Sequence, residues 1–181
     1  TGPRQAGKTT LARSLGGGYF DLEQPEERVR LDLTWDETLR ARRLLVLDEA
    51  QAWPDLFPRL RSAIDRERRR NGRFLLLGSV SPVLMKQVSE SLAGRMALCE
   101  LTPFILPEMK KKREDDLWLR GGYPDGGILG SRQYPVWQRN YLAFLAQRDL
   151  PTWRLPSKPA MTERFFKKLA ASQGNLFDAS Q

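Results

Sequence analysis

Hydrophobic runs of strand length alternate with amphipathic segments of helix length over the first two-thirds of the chain. The runs at 44–50 and 73–81 are almost entirely apolar up to their last residues, which is typical of strands buried on both faces. Between them, residues 56–70 place their apolar side chains on one side of a helix. Strands and helices in this order predict a parallel sheet covered by helices.

Weaker patterns continue this alternation on both sides of the central segments. Short strands are predicted at 18–23 and 96–104. Helices are predicted at 23–43 and 83–93. Residues 1–106 are therefore predicted to form a core domain of the α/β class, with a parallel sheet between two helical layers.

The pattern becomes helical after this core. Residues 107–150 are predicted to form a small helical segment that serves as a lid or transmitter. Three prolines make 151–161 a linker, and a last helix is predicted at 162–174 with Thr162 as its N-cap. Residues 151–181 are therefore predicted to be a linker and the first helix of a further domain.

The overall composition is that of a globular protein, with 40% hydrophobic and 29% charged residues. No apolar run is long enough to cross a membrane and no signal peptide is recognisable, so we expect a cytoplasmic protein without a membrane partner. Cys99 is the single cysteine, which excludes an internal disulfide, and its apolar surroundings predict a buried side chain.

The net charge and the absence of histidine limit the partners and metal sites that the chain can have. The net charge of +8 suits an anionic partner, either a nucleotide, a nucleic acid or an acidic protein. The chain has no histidine, which excludes acid–base catalysis by histidine. With no histidine and a single cysteine, it offers no zinc site. Any bound metal should therefore have oxygen ligands, as Mg²⁺ does. The densest basic runs, 65–70 and 110–114, are predicted to be solvated helix faces, with a footprint for nucleic-acid phosphates as the alternative.

The first nine residues carry a phosphate-binding pattern. They fit G-x-x-x-x-G-K-[ST], in which glycines let backbone N–H groups point at phosphate oxygens. Lys8 would reach the outer phosphates, and the Thr9 hydroxyl would ligate Mg²⁺. The alternative is a glycine-rich turn that caps an ordinary helix. The predicted nucleotide-binding residues are Gly2, Pro3, Arg4, Gln5, Ala6, Gly7, Lys8, Thr9 and Thr10.

A second candidate site lies about 40 residues further on, where the strand at 44–50 ends in Asp48 and Glu49. Ligands of parallel sheets bind at the carboxyl ends of the strands. Asp48 would hold Mg²⁺, and Glu49 would orient and polarise a water for attack on a γ-phosphate. The alternative is a buried strand that ends in two solvated acids.

Two further residues are candidates for the same site. Ser79 lies at the end of the next strand, where its hydroxyl would sense the γ-phosphate, although a polar strand end or a helix N-cap is equally consistent with the pattern. Arg95 follows a helix and a glycine, and its guanidinium would stabilise transition-state charge within the chain or across a subunit interface. The alternative for Arg95 is a surface arginine.

These segments together carry a resemblance. The stretches GPRQAGKTT, YFDLE, LLVLDEAQ, PDLFPRLRSAID, RFLLLGSVS, ESLAGR and LWLRGGYPDG, in this order, resemble a widespread group of prokaryotic AAA-type ATPases. That group belongs to the additional-strand, catalytic-glutamate division of P-loop NTPases and joins an ATPase core to a C-terminal domain of unknown function. The tail from about Arg148 resembles the start of that domain.

The resemblance implies a core sheet in the order 5-1-4-3-2, with ATP and Mg²⁺ as ligands. It places Lys8 and Thr9 on phosphate and metal, and Asp48 and Glu49 in the Walker B motif. Arg95 matches the arginine of the group's SLAGR signature, a match that assigns it no role. The central strand of this sheet would precede Thr1, so we expect residues 1–181 alone to be marginally stable or to aggregate. A cooperative thermal melt with native-like ATP affinity would contradict that expectation.

The function predicted from these residues is Mg²⁺-dependent ATP hydrolysis that drives a conformational change of the C-terminal domain. One alternative is a nucleotide-dependent switch that turns over slowly. Another is a DNA-binding module that uses ATP for assembly. The missing C-terminal part leaves a nucleic acid or a protein open as partner, and it leaves open whether the protein forms oligomers.

Overall fold

The computed structural model describes residues 1–79, 82–109, 113–130, 134–152, 155, 158–172 and 174–175. The chain divides into two compact units, Thr1–Pro124 and Asp125–Gln181. This boundary differs from those expected at 106/107 and 150/151, and the functional division into three parts stays a prediction.

The first unit holds the sheet and most of the helices. Its strands are β1 (Gly18–Asp21), β2 (Leu45–Asp48) and β3 (Phe74–Leu76). Its helices are α1 (Lys8–Ser14), α2 (Pro25–Leu33), α3 (Trp35–Arg40), α4 (Leu56–Arg66), α5 (Pro82–Ser91) and α6 (Glu114–Arg120). Short 3-10 turns span Ala50–Ala52 and Leu106–Glu108.

The second unit is helical. A π-helical turn at Pro124–Ile128 crosses the boundary between the units. It is followed by α7 (Tyr134–Phe144), a second π-helical turn (Leu145–Asp149), α8 (Leu150–Thr152) and α9 (Pro159–Ala171).

The three strands form one parallel sheet in the order β1-β2-β3. Gly18 pairs with Leu45, and Leu45 pairs with Phe74, so the strands start level with one another. The carboxyl end of β2 therefore lies between its neighbours, and Asp21 pairs with Asp48 there. This order matches three adjacent strands of the sheet that the resemblance implies.

The sheet has a hydrophobic core on each face because side chains alternate along a strand. Leu45 and Leu47 point to one face and pack in a cluster with Phe57 and Leu60 of α4. Val46 points to the other face and packs in a cluster with Ala12 of α1. Helices therefore cover both faces, which confirms the predicted α/β class and three-layer arrangement.

The strand predicted at 96–104 is wrong, because no regular strand forms in the described chain there. Residues 96–101 and β3 line the same groove, which has a volume of about 780 Å³. The Leu101 N–H donates to the Thr1 carbonyl at 2.8 Å, and the Thr1 amino group donates to the Cys99 carbonyl at 2.6 Å. Thr1 alone cannot supply the series of backbone hydrogen bonds that a strand requires from its neighbour.

Two smaller predictions are also wrong. Cys99 is exposed rather than buried, because the segment that carries it lines the open groove. Thr162 is not an N-cap, since Pro159 starts α9 at its first turn and Lys158 is the capping residue. Proline is favoured there because its missing N–H would have no helical partner anyway.

Candidate functional site

The loop before α1 leads into a helix whose first backbone donors have no acceptor within the helix. The N-cap of α1 is Gly7, which adopts a left-handed conformation (φ 93°) and supplies no side-chain cap. The N–H groups of the first turn, at Lys8, Thr9 and Thr10, have no acceptor within the helix. Gly2 closes the other end of the loop, where a Cβ would lie 2.2 Å from the Leu101 carbonyl oxygen.

Lys8 folds its side chain back over this loop. Its Nζ donates to the Pro3 carbonyl at 2.7 Å and to the Gly2 carbonyl at 3.0 Å. Burial lowers the pKa of Lys8, while the charges of Glu49 and Asp48 act in the opposite direction. The loop therefore holds a cation whose own environment includes both acids at the end of β2.

Asp48 is buried, and three donors satisfy its carboxylate. The Thr9 hydroxyl donates to Oδ2 at 2.6 Å, and the Tyr19 hydroxyl donates to the same oxygen at 2.8 Å. The Glu49 backbone N–H donates to Oδ1 at 3.0 Å. A buried carboxylate needs hydrogen bonds of this kind to offset the hydration that it loses. The Thr9 bond joins the loop–helix turn to the end of β2.

Glu49 occupies a strained turn immediately after Asp48. Its backbone is left-handed (φ 49°, ψ 47°), which costs a residue other than glycine about 1–2 kcal/mol. The Ala50 N–H anchors the turn to the Leu77 carbonyl at 3.0 Å. The Gln51 side-chain amide donates to the Glu49 carboxylate. Such strain persists where surrounding contacts hold it, and here it fixes the direction of a half-buried carboxylate.

The donor set suits a hard divalent cation that is shared with a ligand. No group of three or more His, Cys, Asp or Glu that could hold a metal exists in the described part of the chain. Thr9 and Asp48 do bring a hydroxyl and a carboxylate oxygen together. Mg²⁺ is commonly held by one or two protein oxygens, with phosphates and waters completing its octahedron. These residues therefore fit Mg²⁺ bound together with a polyphosphate.

Ser79 lies two residues beyond Leu77, whose N–H bonds to the Leu47 carbonyl at 2.9 Å. It is buried, and its hydroxyl has no hydrogen-bond partner among the residues that the structure describes. A buried hydroxyl without a partner is costly, so this group is available to a ligand or a water beside β2.

Arg95 lines the same groove as Lys8, but the carboxylate that it pairs with among the described residues is that of Asp65 and not the acidic pair. Its guanidinium forms two hydrogen bonds to Asp65 of α4, at 2.8 and 3.0 Å. The hydrogen bond from Arg95 holds the pKa of Asp65 below its usual range, and the same bond raises the pKa of Arg95. To act on a phosphate, Arg95 would have to leave this pair.

Tyr19 and Gln51 are site residues that the sequence patterns did not reveal. Tyr19 stands at the second position of β1, with the Arg13 guanidinium 4.5 Å from the centre of its ring. Burial, with the hydrogen bond to Asp48, raises the pKa of Tyr19 to about 12. A signal was present, since a tyrosine in a strand next to the one ending in Asp48 has the length to reach that end.

Replacing Tyr19 by Phe removes one of the three donors to Asp48. We expect the free energy of unfolding at pH 7 to fall by about 1 kcal/mol, the typical net value of one hydrogen bond. Because the folded state raises the pKa of Tyr19, the phenol contributes stability below its unfolded pKa of about 10 and loses that contribution as the pH rises towards about 12. Urea unfolding of both proteins should show a difference that shrinks in this range, and a constant difference would contradict the assignment.

Comparison with known proteins adds an independent finding. A family model described as AAA domain matches residues 1–110. The uncharacterized proteins Mb2031c of Mycobacterium bovis and Rv2008c of Mycobacterium tuberculosis are each 39% identical over 186 residues, covering 100% of this chain. The chain spans 42% of the length of each of these relatives.

All of the candidate site residues described above lie within the range that the family model matches.

None of the helices among the described residues is both long enough and apolar enough to span a membrane.

Proposed function

Because this chain belongs to the AAA domain family, a family of nucleotide-binding ATPases, we propose that it binds ATP together with Mg²⁺ and hydrolyses it. The observation that carries the proposal is the 2.6 Å hydrogen bond between Thr9 and Asp48. It brings the Thr9 hydroxyl and the Asp48 carboxylate together, which supports a metal shared by the two residues.

The loop from Gly2 to Lys8 would bind the phosphates. Backbone N–H groups at the start of α1 have no acceptor within the helix, and such groups at a helix N-terminus favour an anion. Lys8 would exchange the Gly2 and Pro3 carbonyls for phosphate oxygens, which form stronger, charge-assisted hydrogen bonds.

Thr9 and Asp48 would hold the metal. When bound, Mg²⁺ neutralises charge that develops on the phosphate oxygens. Asp48 has its oxygens oriented in advance by Tyr19 and by the Glu49 N–H, so its carboxylate needs little rearrangement.

Glu49 would act as the general base. Its carboxylate would accept a proton from the attacking water, and the left-handed turn with the Gln51 amide would keep it aimed at that water. Ser79 would donate its unpaired hydroxyl to the terminal phosphate. Arg95 would join only after release from Asp65, within the chain or in a neighbouring subunit.

Hydrolysis would drive a movement of the C-terminal part, with 105–160 as the transmitter. One observation favours the slow switch as a second candidate function. The Glu49 carboxylate is bonded to Gln51 and the Arg95 guanidinium to Asp65, so both groups start from paired states. If the protein seldom leaves this paired arrangement, it would bind ATP but hydrolyse it slowly.

Nucleotide binding tests the proposal most directly. Calorimetry of the full-length protein should show ATP binding with Mg²⁺, weaker binding in EDTA, and phosphate release only with the metal. AMP, which lacks the outer phosphates that Lys8 would contact, should bind far more weakly. An absence of ATP binding at about 1 mM nucleotide, the upper end of usual KM values, would overturn the proposal.

A further inference from the structure

The edge of the sheet opposite to the candidate nucleotide site is densely basic. It is formed by the last residues of α3 and α4 and by the loops that lead from them into β2 and β3, at residues 40–43 and 66–73. We call this surface the arginine edge. Its arginines are Arg40, Arg42, Arg43, Arg66, Arg68, Arg69, Arg70 and Arg73.

The fold brings these two loops together, although more than twenty residues separate them in sequence. Leu45 pairs with Phe74, and the Leu45 N–H donates to the Arg73 carbonyl at 2.8 Å. Glu67 links the groups further, because Arg70 pairs with it at 2.9 Å and Arg73 lies 3.9 Å from it. The hydrogen bond from Arg70, with the charges of Arg73, Arg70 and Arg42, lowers the pKa of Glu67. Arg42 therefore belongs to the same cluster.

The arginine edge accounts for almost all of the net charge. Its twelve residues contain eight arginines and one acid, Glu67, and they carry seven of the chain's eight net positive charges. None of the twelve is a lysine. The remaining residues together carry a net charge of only one, so most of the net charge of the chain lies in these two segments.

Contacts within the fold account for only some of these arginines. Arg73 is buried and donates to the Ala63 carbonyl at 2.9 Å. Arg40 and Arg66 lie in the last turns of α3 and α4, where a cation complements the helix dipole. Arg70 pairs with Glu67.

Four exposed arginines remain without such a role. Arg42, Arg43, Arg68 and Arg69 are exposed, and they form no hydrogen bond or ion pair with the residues that the structure describes. Besides the hydrogen bonds that each acid accepts from another arginine, the charges of Arg42 and Arg68 lower the pKa values of Glu67 and Asp65, respectively. Arginines nevertheless outnumber acids in this cluster, and such an excess of like charge destabilises a fold. An anionic partner would remove that cost.

We propose that the arginine edge binds the phosphate backbone of a nucleic acid. Guanidinium groups match phosphate geometry with two parallel hydrogen bonds, and they are more weakly hydrated than ammonium groups. A membrane surface fits less well, since stable anchoring needs a second signal besides a polybasic patch, and the residues at 40–43 and 66–73 include no large apolar side chain to supply it.

The proposed surface and the nucleotide site share no residue, although Arg68, Arg70 and Arg73 line the same groove as Lys8. β2 separates them, and its four residues span about 13 Å. Lys8, Thr9 and Asp48 stand at or near the carboxyl end of the sheet, whereas the arginine edge stands at the amino end. Nucleic-acid binding therefore goes beyond the proposed ATPase function, and each can fail without the other.

Binding of a fluorescently labelled DNA duplex of mixed sequence, about 30 base pairs long, tests this proposal as a function of salt. The variant carries Arg42→Gln, Arg43→Gln and Arg69→Gln in the full-length protein. The matched control, Arg139→Gln, Arg164→Gln and Lys167→Gln, removes the same charge from exposed positions on α7 and α9.

We expect the edge variant to bind roughly 100-fold more weakly at about 0.1 M salt and to lose about three from the slope of log affinity against log salt, near one for each lost phosphate contact. The control should bind as the wild type does. ATP binding should be unchanged in the edge variant, which also shows that it is folded.

Three results would overturn the proposal. These are equal losses in the edge variant and the control, DNA binding with no salt dependence, and arginine-dependent binding to vesicles of phosphatidylglycerol without binding to DNA. A variant with Arg42→Lys, Arg43→Lys and Arg69→Lys keeps the charge. This lysine variant should retain most of the dependence of DNA affinity on salt. It therefore shows that the glutamine variant loses affinity through its lost charges and not through misfolding.

Discussion

Replacing Lys8 by Ala is expected to weaken ATP binding by roughly 100-fold or more and to abolish hydrolysis. Lys8 would give the phosphates two charge-assisted hydrogen bonds, each worth about 1.5–3 kcal/mol, and no other lysine contacts the loop in the described chain. Two such bonds exceed the 2.7 kcal/mol that corresponds to a hundredfold change in affinity. Calorimetric titration of the full-length variant with ATP and Mg²⁺ measures the loss.

The Lys8 ammonium also bonds to the Gly2 and Pro3 carbonyls, so its removal could disturb the loop. The controls must therefore distinguish a loss of phosphate contacts from a loss of loop structure. Lys86→Ala removes an equal charge from an exposed position on α5 and should leave ATP affinity unchanged. The Lys8 variant should also unfold at nearly the wild-type urea concentration. Unaltered ATP affinity in a folded Lys8→Ala protein would show that the loop does not bind phosphate.

Glu49→Gln is expected to slow ATP hydrolysis by about 10²- to 10⁴-fold while ATP affinity stays within a few-fold of the wild type. The amide keeps the shape of the side chain, so the left-handed turn and the contact with Gln51 can persist. It cannot accept a proton from water. Phosphate release measured at saturating ATP reports the chemical step, and calorimetry reports binding.

Glu26→Gln on α2 is the matched control, since it removes one acidic charge from an exposed position away from the site. Its turnover should equal that of the wild type. If Glu49→Gln also turned over ATP at the wild-type rate, the assignment of Glu49 as the general base would be wrong. Slow turnover in both the wild type and the variant, with tight ATP binding, would instead favour the nucleotide-dependent switch.

The sequence by itself determined the class of the fold and the main residues of the candidate site. An apolar run, a helical period or the spacing from Gly2 to Thr9 is a property of consecutive residues, so it can be recognised before any contact forms. Asp48 and Glu49 could be placed at a ligand-binding edge because parallel strands end together.

Only the tertiary structure decided which partner each of these groups has. Tyr19 reaches Asp48 across 29 residues of chain and Arg95 reaches Asp65 across 30, and both contacts depend on how strands and helices cross. Local periodicity carries no information on that. The same reason explains the arginine edge, because its two loops meet only through the β2–β3 register. A pattern along the chain determines which face a residue is on, whereas its neighbours on that face are set by packing between distant segments.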